Sequence, residues 1–221
     1  MTDTTGFISF LFVHLIASLL AVFAVTGLLL RQPKKPMSTW LFFALSLYTI
    51  LLPFFLLGFK QQYNWTLNST NTHFYITGAF LTALTLRLHW NFKIAGALYQ
   101  TILAMVLSFF LTLTWAAPEK LNIPGIYLIV SGLVIAGVLI TWAKAIKERY
   151  FFPFQQSWFW ISMGALCHHL MLLVYAALYF SYPNFPQIQE SFTYVIGLSY
   201  LLQWILFVIG VWSKPDTNEL N

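Results

Sequence analysis

Long apolar runs alternate with short polar stretches along the whole chain. The apolar runs cover residues 6–30, 38–59, 73–88, 94–115, 125–146, 157–182 and 191–212. A helix rises about 1.5 Å per residue, so each run is long enough to cross a bilayer with modest tilt or snorkelling. The pattern therefore predicts an all-α integral membrane protein, a seven-transmembrane-helix bundle that forms one domain over residues 1–221.

The basic residues predict how this bundle is oriented. All but two of the 11 Lys and Arg residues lie at one side of the predicted spans, and the exceptions are Lys60 and Lys120. Basic residues accumulate on the cytoplasmic side of membrane proteins. We therefore predict that the N-terminus lies outside and the C-terminus in the cytoplasm. The expected location is a cell membrane, namely a bacterial inner membrane.

The composition indicates that the main partner of the chain is the lipid bilayer. Apolar residues make up 59% of the sequence and charged residues 8%, whereas soluble domains carry roughly 25% charged residues. The polar stretches are too short to bury a core of their own, so function must lie in the bundle or in other membrane subunits that it contacts. The single cysteine excludes an intrachain disulfide framework, and nothing in the sequence supports nucleic-acid binding.

The sequence permits an internal duplication, although the identities that suggest it are about as many as chance gives. Aligning Gly6 with Gly125 aligns three more identical pairs without a gap: Ser38 with Ser157, Tyr75 with Tyr194 and Gly78 with Gly197. Seven spans permit a parallel repeat of three helices, a linker helix and three helices. This topology is similar to that of sugar and vitamin transporters with such a repeat. Those proteins use proline-hinged helices, however, and only Pro53 lies within a predicted span here.

Acidic residues are absent from the predicted spans. All six lie in predicted loops or tails: Asp3, Glu119, Glu148, Glu190, Asp216 and Glu219. Proton-coupled transport usually needs an ionisable group such as a carboxylate on the pathway through the membrane. Carboxylate-bridged metal sites and acid–base pairs of carboxylates are disfavoured for the same reason.

Three of the five histidines are the strongest candidates for intramembrane chemistry. His14, His168 and His169 lie at hydrocarbon depth, whereas His73 and His89 lie at span ends. A buried imidazole needs a hydrogen-bond partner, a metal ion or a cofactor, because an unsatisfied polar group in hydrocarbon is costly. Adjacent residues of a helix diverge by about 100°, so His168 and His169 cannot face the same centre. Helix tilt would allow His14 and His168 to surround one ligand.

Three interpretations of these rings stay open. The first is a buried hydrogen bond to Ser, Thr, Tyr or a free carbonyl group of a neighbouring helix. The second is axial ligation of a b-type haem by neutral imidazole nitrogens in an apolar pocket. The third is a copper or zinc site, which would need a further ligand such as Cys167 or His73. His14, His168 and His169 are thus the candidate cofactor-binding residues.

A second candidate site lies at the cytoplasmic end of the third predicted span. Arg87 and Lys93 flank this end and together are candidates for contact with an anion or a lipid headgroup. Snorkelling of a long basic side chain to the interface also explains Arg87.

Other residues within the spans predict contacts between helices. Gln100 and Gln203 are expected to hydrogen-bond across helix pairs, and Gly132 and Gly164 are expected to let helices approach closely. Packing, rather than ligand binding, is the simpler interpretation of all four.

These features favour a non-enzymatic membrane protein that is a subunit or accessory factor of a larger membrane complex. A respiratory or redox setting, with haem or metal held by the span histidines, is the most specific version of this hypothesis. A small-solute transporter with a central pocket is the first alternative. A seven-helix sensor or receptor that signals through a separate partner is the second.

Overall fold

The structure, a computed structural model, describes residues 4–31, 36–58, 77, 123–147, 157–182 and 186–213. Regular structure within these ranges is entirely helical, which confirms the all-α prediction there. The helices are α1 (Thr4–Arg31), α2 (Pro36–Gly58), α3 (Ile123–Lys147), α4 (Ser157–Ser181) and α5 (Pro186–Trp212). Apart from Thr77, the predicted spans at 73–88 and 94–115 lie outside the described residues. The count of seven helices therefore stays a prediction.

Three of these helices are long and apolar enough to cross a membrane. Their apolar segments are Leu11–Leu30 in α1, Phe159–Ser181 in α4 and Tyr194–Trp212 in α5. Shorter apolar segments lie in α2, at Phe42–Phe54, and in α3, at Tyr127–Ile140. The described helices thus have the composition of transmembrane helices, and the chain is a membrane protein.

Prolines begin two helices that the sequence predicts to start later. α2 begins at Pro36 rather than at residue 38, and α5 begins at Pro186 rather than at residue 191. Proline fits the first turn of a helix because its missing N–H would have no partner there. One consequence corrects the sequence-based assignment of Glu190 to a loop. Glu190 is helical, although it precedes the apolar segment that begins at Tyr194.

The five helices pack as neighbours in the order α2, α1, α5, α4, α3. α4 and α5 run antiparallel, because Gly164 lies against Gln203 while His168, one turn further along α4, bonds to Ser199, one turn back along α5. α5 is therefore the central helix of the described part, with α1 on one side and α4 on the other.

α1 and α5 instead run in the same direction. Val13 near the start of α1 contacts Gly197, and Gly27 near its end contacts Val211. Residues 32–35 join α1 to its neighbour α2, and so short a connection places these two helices antiparallel.

These directions constrain the segment between α2 and α3. α3 is antiparallel to α4, since Ser131 bonds to His169 and Trp142 bonds to Ser162. α3 therefore runs in the same direction as α1, and the end of α2 and the start of α3 lie at the same end of the bundle. A chain that leaves and returns at one end crosses the bundle an even number of times, which the two predicted spans between residues 59 and 122 would satisfy.

Small residues allow the helices around α5 to approach closely. Ala17, Ala21 and Ala24 form a fully buried stripe along α1. On α4, a Cβ atom added to Gly164 would lie 2.9 Å from the backbone oxygen of Gln203, which confirms the predicted close approach at this glycine. On α3, a Cβ atom added to Gly132 would have no neighbour within 4 Å among the described residues, so they show no close approach at this glycine.

Candidate functional site

Two of the candidate histidines meet at one tyrosine. The ring of His14, from α1, lies 5.2 Å from the ring of Tyr200 in an edge-on contact, and the ring of His168, from α4, lies 5.4 Å from the same tyrosine. The exposed fractions of these side chains are 3% for His14, 6% for His168 and 5% for Tyr200. We refer to these three residues and His169, which is 1% exposed, as the histidine cluster.

His168 and His169 contact different helices, as their spacing predicts. His168 Nδ1 lies 2.9 Å from the hydroxyl oxygen of Ser199 on α5, whereas His169 Nδ1 lies 3.2 Å from the hydroxyl oxygen of Ser131 on α3. Each of these two rings is thus oriented through its Nδ1 atom. Hydrogen bonding at one ring nitrogen is also how proteins orient histidines that use the other nitrogen for a ligand.

The hydrogen bonds of Ser199 determine the tautomer of His168. The Ser199 hydroxyl donates to the backbone carbonyl of Ile196 at 2.8 Å, and a hydroxyl has one hydrogen to donate. Its oxygen must therefore accept a hydrogen bond from His168 Nδ1–H. In a neutral imidazole the other nitrogen, Nε2, then carries a lone pair. His168 consequently presents an acceptor or metal-ligating nitrogen at Nε2.

Serine and threonine supply such anchors because a helix can accommodate their hydroxyl groups. In α2 the hydroxyls of Ser46 and Thr49 donate to the carbonyls of Phe42 and Leu45, one turn earlier. Ser18 on α1 lies 2.7 Å from the carbonyl of His14 in its own helix, and 2.8 Å from that of Thr49 across the α1–α2 contact. The contact between Ser18 and the Thr49 carbonyl therefore joins α1 to α2 one turn after His14.

Gln203 contributes an amide to the same region of α5. Its side chain is 0% exposed, and neither amide atom has a hydrogen-bond partner among the described residues. The predicted interhelical hydrogen bond of Gln203 is therefore wrong for these helices. Gln203 lies one turn from Ser199 along α5, and the backbone of α4 covers it at Gly164.

An aromatic cluster follows this amide along α5. Phe207 lies 5.3 Å from Trp204 and 5.5 Å from Phe42 of α2, measured between ring centroids. Trp204 and Phe207 are almost completely buried. The environment of Gln203 is thus an apolar, ring-lined part of the bundle.

The arrangement also limits which metal or haem could be held. Among the part of the chain that the structure describes, no group of three or more His, Cys, Asp or Glu side chains could hold a metal ion. Cys167 is half-buried and precedes His168 directly. A metal site at the histidine cluster would therefore need ligands from residues outside the described ranges.

For haem, Tyr200 limits ligation by both histidines. Its ring contacts the rings of His14 and His168, at 5.2 and 5.4 Å between centroids. A haem that both histidines held would need the space that the Tyr200 ring occupies, whereas His168 Nε2 is the nitrogen that could hold it as a single ligand.

The outcome for the predicted site residues is mixed. The structure collects His14, His168 and His169 in one cluster, while Arg87 and Lys93 lie outside the described residues. Sequence reasoning missed Tyr200 and Ser199, because nothing distinguishes them from the other tyrosines and serines of the spans. Their positions one helical turn before Gln203 and Trp204 offered at most a weak signal that this face of α5 is polar.

Comparison with known proteins adds no constraint. We find no family model that matches the chain, and no curated protein or solved structure is significantly similar to it. Function must therefore be argued from the histidine cluster and its surroundings.

Proposed function

We propose that this protein is a non-enzymatic subunit or accessory factor of a larger membrane complex in a redox setting. In the most specific version, the span histidines hold a cofactor, either a b-type haem or a metal ion. The observation that carries the proposal is the orientation of His168, whose Nδ1 is anchored by Ser199 and whose Nε2 carries a lone pair in the apolar interior.

His168 and His169 both contact a serine of a neighbouring helix, as the hydrogen-bond interpretation predicts. A further arrangement of polar groups supports a ligand in addition. Here His14 and His168 converge from different helices on Tyr200, and a fully buried glutamine lies one turn away. Such convergence of polar groups in an apolar interior is typical of a ligand or cofactor site.

Each part of the cluster has a defined role in this proposal. His168 Nε2 would ligate the iron of a haem, and Ser199 would keep that nitrogen deprotonated and correctly oriented. His14 of α1 and Tyr200 of α5 would pack against the group. A bound haem would supply one-electron redox chemistry, which the side chains of the cluster do not themselves provide.

An absorbance spectrum and a metal analysis of the protein purified from its membrane test the proposal. A Soret band that changes in His168→Leu but not in His14→Leu is expected for ligation by His168 alone. A spectrum without a Soret band, together with no stoichiometric metal, would remove the cofactor version.

The complex is tested separately by gentle detergent extraction and mass spectrometry of the proteins that copurify. Other membrane subunits are expected at constant ratios through successive purification steps. A protein that remains alone at every step and binds no redox group would contradict the proposal as a whole.

A further inference from the structure

Two polar groups, one in the histidine cluster and one next to it, are available to bind a ligand. The first is the Nε2 atom of His168, which carries a lone pair because Nδ1–H donates to Ser199. The second is the amide of Gln203, whose two polar atoms are buried without a hydrogen-bond partner among the described residues. Burying an unsatisfied amide costs about 1–3 kcal/mol, so its retention in the core calls for a ligand.

The register of α4 and α5 places these two groups at neighbouring levels. His168 lies opposite Ser199, and Gly164 lies opposite Gln203. Helical side chains lean towards the N-terminus of their helix, which for Gln203 is the direction of Ser199. The amide of Gln203 therefore leans towards the level of His168.

The surroundings define the chemical class of the ligand. No Lys, Arg, Asp or Glu is among the buried residues that the structure describes, so a charged ligand would lack a counter-ion in hydrocarbon. Tyr200 places an aromatic ring 5.4 Å from the ring of His168, which suits a ring compound. The ligand is therefore a neutral, lipid-soluble ring.

The polar groups specify what this ring must carry. His168 Nε2 can only accept a hydrogen bond, and the NH₂ group of Gln203 can donate one. A ring hydroxyl serves both, because it donates its hydrogen to Nε2 and accepts from the amide. A ring carbonyl serves only the amide and places its oxygen against the lone pair of His168.

We propose that His168 and Gln203 form a binding site for a quinol, and that the site discriminates between a quinol and the corresponding quinone. This site needs neither haem nor metal. It is an alternative to haem ligation by His168 Nε2 and is compatible with the role as a subunit of a redox complex proposed above. Ser199 is a positioning residue in this site, because it holds His168 in the tautomer that accepts from the ring hydroxyl.

The test compares duroquinol with duroquinone, which have the same methylated ring and differ in two hydroxyl hydrogens. Binding of each to the purified full-length protein in detergent is measured without oxygen by titration calorimetry. One additional buried hydrogen bond corresponds to about tenfold in affinity, so the quinol is expected to bind about tenfold more tightly than the quinone.

Variants separate the roles of the three residues. Ser199→Ala removes the oxygen that accepts from His168 Nδ1–H, so that the ring proton can also lie on Nε2. The preference for quinol is then expected to fall to about twofold or less. Gln203→Leu is expected to weaken binding of both rings, because both use the amide as a donor. Ser46→Ala is the matched control, since Ser46 donates to the carbonyl of its own helix without a histidine partner, and it should leave both affinities unchanged.

The comparison of the two rings on the wild-type protein decides the proposal even if a variant does not fold. Equal affinity for the two rings, or no binding of either to folded protein, would overturn the proposal. So would a preference for quinol that persists in Ser199→Ala, or a haem whose spectrum shows His168 as its ligand. Quinol binding by a protein without haem or metal would instead support this site and remove the cofactor version of the proposed function.

Discussion

α5 contacts α1 and α4 through two interfaces that are both close but differ in chemistry. Against α1, Val13 meets Gly197 and Gly27 meets Val211 and the indole of Trp212, and fully buried alanines lie between Val13 and Gly27 along α1. Against α4, a glycine lies directly on the backbone of α5, and a histidine–serine hydrogen bond follows one turn away. Small residues bring the helices together in both interfaces. The second also carries the His168–Ser199 hydrogen bond, whereas an edge-on contact between His14 and Tyr200 crosses the first.

The difference shows that close helix packing and hydrogen bonding between helices arise from different residues in this bundle. Lipid tails are as apolar as leucine, so helices associate through close packing and through interhelical hydrogen bonds. The α1–α5 interface relies mainly on packing between side chains. The α4–α5 interface combines backbone contact with a hydrogen bond and an unsatisfied amide, which is the combination expected where binding competes with stability.

The largest expected effect follows from filling the glycine between α4 and α5. In Gly164→Ala the added Cβ atom would lie 2.9 Å from the Gln203 backbone oxygen and 3.1 Å from the Phe207 ring. Overpacking against a backbone atom costs about 1–3 kcal/mol, so the free energy of unfolding in detergent should fall by that amount. Gly132→Ala is the matched control and should be neutral or stabilising, since no atom of the described residues lies within 4 Å of its Cβ position.

The next effect has the opposite sign and concerns the buried amide. Gln203→Leu removes two unsatisfied polar atoms and should raise the free energy of unfolding of ligand-free protein by about 1–2 kcal/mol. Denaturant titrations of the purified variant and the wild-type protein measure the change. A loss of stability would instead show that the amide is satisfied within the protein, which would contradict its assignment as a ligand contact.

The hydrogen bond across α4 and α5 contributes a smaller effect. Ser199→Ala leaves His168 Nδ1 without its partner and should lower the free energy of unfolding by about 1 kcal/mol, within the range measured for interhelical bonds in membranes. Ser46→Ala removes a hydroxyl that bonds only within its own helix, so it should cost less in the same assay. Equal losses in the two variants would mean that the hydrogen bond between the helices adds nothing to the free energy of unfolding.

The smallest effect is expected in the α1–α5 interface. In Gly27→Ala the nearest atom to the added Cβ is Val211 Cγ1 at 2.6 Å, which belongs to a side chain rather than to the backbone. The loss should therefore be smaller than for Gly164→Ala, at about 1 kcal/mol or less. A double-mutant cycle with Val211→Ala should recover part of this loss, and an absence of recovery would place the strain elsewhere.

The sequence was sufficient for the features that depend on neighbours along the chain. Hydropathy located the five described helices, and helical spacing required His168 and His169 to find separate partners. The early start of α5 was missed because proline was interpreted as the end of structure, although it is well suited to a first helical turn. Gly132 shows a related limit, because a small residue permits a close approach without requiring one.

The tertiary structure alone decided how the polar groups meet. A helix in lipid is apolar on all sides, so its hydrophobic pattern does not mark the face that turns inward. For this reason the sequence identified His14 and His168 but not the Tyr200 ring that both contact. It identified Gln203 as polar but not as unsatisfied. The tautomer of His168 depends on a serine from another helix, and only the antiparallel register of α4 and α5 brings that serine into place.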